Sequence, residues 1–325
     1  MRGESGPMDD SQNALARAGA AVVSGLGSGL KTSLYLLRIM IPVSLAVALL
    51  KWCGALDWAA RFMAPAMGFV GLPGEASLVI VSSMLLNVYS AVAVIETLPL
   101  TMREITILAV LCLSAHNLII ETAVMRKSGS SAIKMLSLRI LGGVALAYAL
   151  NLLLPGDASS VAASTADTAR AALLPALGAW GLSTLRLVVK ILLLVNGIMI
   201  AQRLMEAFRV LDFLSRLAAP LMRVFGLSDN SSFLWIVINV VGYAYGAAII
   251  MERVKGGAMK PQEADLFNHH ACLCHSLLED TSLFLAIGTP LGWITLPRIV
   301  AALLVVWLER LRRGRFRRSF RAGTA

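Results

Sequence analysis

Charge and aromatic surface are both scarce in this chain. Of its 325 residues, 15% are Asp, Glu, Lys or Arg and 6% are aromatic, while 58% are hydrophobic. A mean hydropathy of +0.76 is too apolar for an ordinary soluble domain of this length. Cysteine is rare too. Cys53, Cys112, Cys272 and Cys274 all lie in or beside apolar segments, which excludes a secreted disulfide framework. There is no CxxC pair, no HExxH, no nucleophile–base triad and no Gly-rich phosphate loop. Neither enzyme chemistry nor a cofactor is therefore expected. The net charge of +10 comes without an aromatic–basic module, so nucleic acid is not an expected partner. Lys and Arg collecting in short cytoplasmic loops explain the charge better.

What the chain has in abundance is long runs of Leu, Ala, Val and Ile, several of them near the ~20 residues that a membrane-spanning helix needs. The expected class is an all-α polytopic membrane protein in contact with the lipid bilayer. The first strong apolar run begins near Leu34, late for the core of a secretory signal. Residues 1–12 read as disordered and Asn13–Leu30 as a weakly amphipathic, small-residue helix that lies on the membrane or leads into the first span. Thr32–Trp52 reads as a span, and Asp57–Phe69 as an amphipathic helix capped by Asp57 and interrupted by Pro65. Next come a polar-studded segment (Glu75–Leu98), a segment carrying His and Glu (Arg103–Met125), a basic turn and a further span (Ile133–Leu154).

The same order then returns. His116, Glu121 and Thr122 fall on His275, Asp280 and Thr281 when the chain is shifted by 159 residues. Ala64-Pro65 and Gly71-Leu72 fall on Ala219-Pro220 and Gly226-Leu227 at a shift of 155, and Asn87 falls on Gly242. Several anchors recurring in order indicate duplication. The chain divides accordingly into an N-terminal segment (1–30), a first repeat (31–154), a linker (155–181), a second repeat (182–311) and a basic tail (312–325).

Charge decides how the halves face. If each polar-studded segment is a re-entrant hairpin, each repeat has three spans and the second is inverted. The basic stretches at 126–139, 203–223, 253–260 and 310–321 then share the cytoplasmic side, and the acidic 155–169 connection lies outside. Full crossings would break that bias. Asn87 and Gly242 sit mid-hairpin, where a tight reversal calls for left-handed backbone. Arms of about a dozen residues reach roughly 18 Å, just past the middle of a hydrocarbon core about 30 Å thick. Broken helices from inverted repeats meeting near the midplane are the layout of many secondary transporters.

The run GLPGEASLVIVSSMLLNVYSAVAVIETL (71–98), with the amphipathic helix before it and the degenerate second copy, resembles the nucleoside-recognition "gate" domain. That domain occurs in concentrative nucleoside transporters, in the membrane part of the bacterial ferrous iron transporter and in spore maturation proteins A and B. The resemblance spans nearly residues 25–310 as two fused gate domains. It implies a multi-pass protein of a bacterial-type inner (plasma) membrane with a cytoplasmic C-terminus, and a permease moving a small polar, nucleoside-like solute. A homo-oligomer or a partner membrane subunit is a further expectation. A non-transporting membrane scaffold, as suits a relative of the spore maturation proteins, is the alternative.

The candidate solute site gathers Asn87, Tyr89, Ser90, His116, Asn117, Glu121, Asn239, Gly242, Tyr245, His275, Ser276, Glu279 and Asp280. Ionisable side chains in apolar segments are costly and mark function by default. The same residues could instead bond one another and the hairpin backbone, with Asn117 and Ser276 capping a helix break. The His/Cys-rich stretch 268–280 suggests a second use. In a continuous helix His270 shares a face with Cys274, and His275 with Glu279, so these four form a candidate metal set for a divalent metal-ion permease.

Overall fold

A computed structural model describes residues 7–156 and 172–322; within these, side chains are described from Asn13 to Gly314 except Asp57. The expectations for residues 1–6, most of the linker (157–171) and 323–325 lie outside the described residues. Every described element is helical, and no strand occurs among the described residues.

Two helices are far longer than a span requires. α1 (Pro7–Trp52, 46 residues) and α8 (Leu173–Ala207, 35 residues) are each continuous. Residues 7–12, expected to be disordered, are helical, the 13–30 helix leads straight into the first span, and residues 173–181, assigned above to the linker, already belong to α8. The two helices lie antiparallel along each other. Gly25 and Gly29 are buried, and a Cβ on either would stand 2.6 Å from Ile200 Cα or Asn196 Oδ1. Near the other end, Trp180 Nε1 donates to Ser44 Oγ at 3.2 Å. Small residues are what allow such backbone approach where lipid offers no hydrophobic drive.

Each long helix leads into an amphipathic one, α2 (Ala55–Phe69) or α9 (Val210–Val224). α2 starts two residues before Asp57 and runs through Pro65, so Asp57 is not its cap and Pro65 does not interrupt it. Phe213, Leu217 and Val224 of α9 are exposed, as a face turned to lipid would be. Two hairpins follow. α3 (Ala76–Leu85) packs along α4 (Val88–Ile95), and α10 (Ser232–Val240) along α11 (Tyr243–Lys255). Ile238 and Gly246, four residues either side of Gly242, meet so closely that a Cβ on Gly246 would lie 2.3 Å from Ile238 Cγ2. In an unbroken helix those positions would be about 12 Å apart. Gly242 takes φ +110°, as expected. Asn87 does not. Its backbone is extended (φ −166°), and its side chain instead caps α4, accepting from Ser90 N at 2.9 Å.

The His/acid segments are also broken. α5 (Met102–Ala115) stops at His116, and α6 (Leu118–Lys127) resumes after Asn117. In the second copy α12 (Pro261–Ala271) stops before a non-helical 272–278 stretch, and α13 (Glu279–Leu285) follows. α7 (Ala132–Leu153) and α14 (Leu291–Ala322) close the two halves. α14 takes in what was read as a basic tail. Among the described residues, five helical stretches are long and apolar enough to span a membrane: 13–52, 102–127, 132–153, 173–207 and 291–314.

Candidate functional site

Breaking four helices in mid-segment leaves backbone groups without intrahelical partners, which hydrocarbon cannot satisfy. The fold supplies partners in matched pairs. Asn117 N donates to Ser83 O at 2.9 Å, and Ser276 N to Ile238 O at 3.0 Å. Both donors sit at positive φ, +46° and +51°. The carbonyls released at the ends of α5 and α12 are taken by two fully buried arginines. Arg139 donates to Ser114 O (3.1 Å) and His116 O (2.5 Å). Arg298 donates to Leu273 O (3.2 Å) and His275 O (2.7 Å). A cation at a helix C-terminus also complements its dipole. Residue-level reading missed both arginines, although they stand 159 residues apart like the histidines and each interrupts an apolar span.

The two histidines are held alike. His116 Nδ1 lies 3.0 Å from Cys112 O, and His275 Nδ1 lies 2.6 Å from Ala271 O. A carbonyl only accepts, so Nδ1 carries the proton in both rings and Nε2 is the free nitrogen. Both Nε2 atoms face carboxylates. His116 Nε2 is 3.1 Å from Glu121 Oε1 and 3.3 Å from Asp280 Oδ2; His275 Nε2 is 3.3 Å from Glu121 Oε2. Arg139 pairs with Glu121 Oε2 at 2.8 Å. A lone pair facing a carboxylate at that range needs a proton or a cation between them. The rings themselves lie 5.1 Å apart, centroid to centroid.

In front of this cluster opens a cavity of about 330 Å³, at the small end of the range for small-molecule sites. The N-terminal turns of α4, α6, α11 and α13 line it, through Asn87, Val88 and Tyr89; Asn117 and Glu121; Val241 to Tyr245; and Ser276, Glu279 and Asp280, with His116 at its edge. Tyr89 Oη donates to Glu279 Oε1 at 3.0 Å, tying one hairpin to the opposite half.

Ten of the thirteen expected solute-site residues thus reach one cavity. Ser90, Asn239 and His275 do not line it. Ser90 is buried, with its hydroxyl on Asn87 Oδ1, and Asn239 Nδ2 is spent on Trp235 O. His275 sits fully buried behind Glu121. Val88, Val241 and Ala244 join the lining without having been singled out for it, and so does Tyr243, whose sequence position places it at a hairpin tip.

The expected metal set does not assemble. Because residues 272–278 are not helical, the i, i+4 faces proposed for His270/Cys274 and His275/Glu279 do not exist. His270 Nε2 accepts from Trp235 Nε1 at 2.9 Å, and its ring lies against Phe225, 4.7 Å between centroids. Among the described residues, metal-type groups converge elsewhere, at His116–His275–Asp280 and at Asp265–His269–Glu309. The second group is crossed by cations: Lys134 and Arg313 each lie 2.7 Å from Glu309, and Arg313 also pairs with Asp265.

Residues 33–132 match the family model Gate, described as nucleoside recognition. An uncharacterized membrane protein of Bacillus subtilis, YvoD, is 32% identical over 290 residues, covering 87% of this chain and 92% of its own length. No solved structure matches. With Gate-domain sequence, membrane-length helices and similarity to YvoD along nearly its whole length, the chain belongs to the family of Gate-domain (nucleoside-recognition) multi-pass membrane proteins.

Proposed function

We propose that this protein is a permease that moves a small polar solute through the cavity at the four helix breaks. The cavity carries the reading, because polar and ionisable groups from both halves of an otherwise apolar chain are directed into it. The two halves act as inverted repeats, the first from 31 to 154 and the second beginning with α8 at Leu173, with the connection between them outside and the C-terminus cytoplasmic. The antiparallel course of α1 and α8 supports inversion. The ends of the bundle support the orientation. Lys134, Arg310, Arg312 and Arg313 gather at one end, around Glu309 and Gly226. At the other end, Arg103 binds Asn151 O at 2.8 Å and Lys51 binds Thr97 O at 3.2 Å. The richer basic end is cytoplasmic under the positive-inside bias of an inner membrane.

A nucleoside-like solute follows from the family description, and the lining offers suitable groups. Asn87, Tyr89 and Tyr245 present amide and hydroxyl contacts, and Glu279 and Asp280 present acceptors for sugar hydroxyls. Uptake by the purified chain in liposomes, tested on a panel of nucleosides and nucleobases, checks this. Saturable uptake that His116→Gln and Asp280→Asn each abolish is expected. Uptake that survives both variants would remove the cavity from the pathway, and no uptake of any solute would favour a non-transporting scaffold.

A further inference from the structure

We infer that His116, His275 and Asp280 form a binding site for one divalent transition-metal ion of the zinc class, with Glu121 beside it. The inference rests on the cavity being the binding site and names an ion that it takes. Both rings present Nε2 because both Nδ1–H groups are committed to backbone carbonyls, at 3.0 and 2.6 Å. That is the outer-shell arrangement that fixes a ligand histidine's tautomer and orientation. His275 Nε2 is fully buried, makes no hydrogen bond and lies 3.3 Å from Glu121 Oε2. The chosen ligand atoms of the three residues lie within 4.8 Å of one another.

Spacing agrees with one small ion. Bonds of about 2.0–2.1 Å in a tetrahedral zinc site place neighbouring ligand atoms about 3.3 Å apart. Within the proposed set, His116 Nε2 and Asp280 Oδ2 stand 3.3 Å apart, and His275 completes the group within 4.8 Å. Two imidazoles with carboxylates suit zinc, iron, copper or nickel better than the hard ions magnesium and calcium. The site is shared between the halves, one histidine from each, so the ion would bridge them where the cavity opens.

Zinc bound by the purified full-length chain in detergent, after exhaustive exchange against a weak chelator, is the test. One zinc per chain is expected. His116→Gln and His275→Gln should each weaken binding more than about 100-fold, beyond the loss that outer-shell changes cause. His269→Gln, in the other His/carboxylate group, should leave binding unchanged. Thermal unfolding of each variant without zinc identifies any that fail to fold, and Asp280→Asn supplies a further probe. No stoichiometric zinc on the wild-type chain overturns the inference. So does binding that survives both cavity variants, or that is lost with His269→Gln. Zinc binding without nucleoside uptake would sink the solute reading and leave this one standing; uptake by zinc-free protein, with no zinc bound, would do the reverse.

Discussion

Arg139 and Arg298 show how single side chains make a broken helix tolerable in lipid. Each guanidinium takes two carbonyls that the helix can no longer use, and Arg139 also pairs with Glu121. Removing one leaves buried acceptors or a buried carboxylate unmatched, a loss of about 3–5 kcal/mol for a broken buried pair. Arg139→Leu is accordingly expected to unfold at much lower temperature in detergent, and more so than Arg298→Leu, which leaves no ion pair broken. Equal losses would mean that Glu121 gains nothing from Arg139. Ser276 tests the backbone separately. At φ +51° a β-branched side chain is strained by about 1–3 kcal/mol. Ser276→Val should lower the melting temperature, whereas Ser276→Gly should hold or raise it. The chemistry of this site was legible in the sequence because the duplicated His/acid pattern stands out against Leu and Val. The arginines were not, since a lone Arg in a span also reads as one reaching for the interface.

Helix breaks and close helix pairs organise the next scale. The reversal at Gly242 could be read from its neighbours, but Asn87 was misjudged because an N-cap and a left-handed turn favour the same residue type. The metal set failed for a related reason. Helical spacing was applied across residues 272–278, where two cysteines and a histidine give no sign that the helix stops. The continuity of α1 was one of two courses the sequence left open, because nothing in it shows that Gly25 and Gly29 are packing positions. Gly25 and Gly29 face α8, whereas Gly27 is exposed with nothing within 4 Å of a Cβ. Gly27→Ala should therefore stabilise the fold by up to about 1 kcal/mol of helix propensity. Gly25→Ala and Gly29→Ala should destabilise it by forcing the two helices apart. Thermal unfolding of the three variants in detergent decides; the same response from all three would deny the packing role.

Across the whole molecule the two parts of the chain carry matching backbone contacts: Asn117 to Ser83 and Ser276 to Ile238, Arg139 to His116 O and Arg298 to His275 O. Such pairing explains why a charged cluster can sit at the centre of an apolar chain. Each half supplies from within itself the polar partners that its own broken helices lack. On the permease reading proposed above, a small rocking of one half against the other turns the cavity's opening from one face to the other. Ala244 lines the cavity and is exposed, which makes it a reporter of access. The most direct test labels Ala244→Cys, in a Cys53→Ser background, with a membrane-impermeant maleimide in intact cells and in inverted membrane vesicles. Modification from both faces is the predicted result. Modification from one face alone, or from neither, would contradict a passage through the cavity.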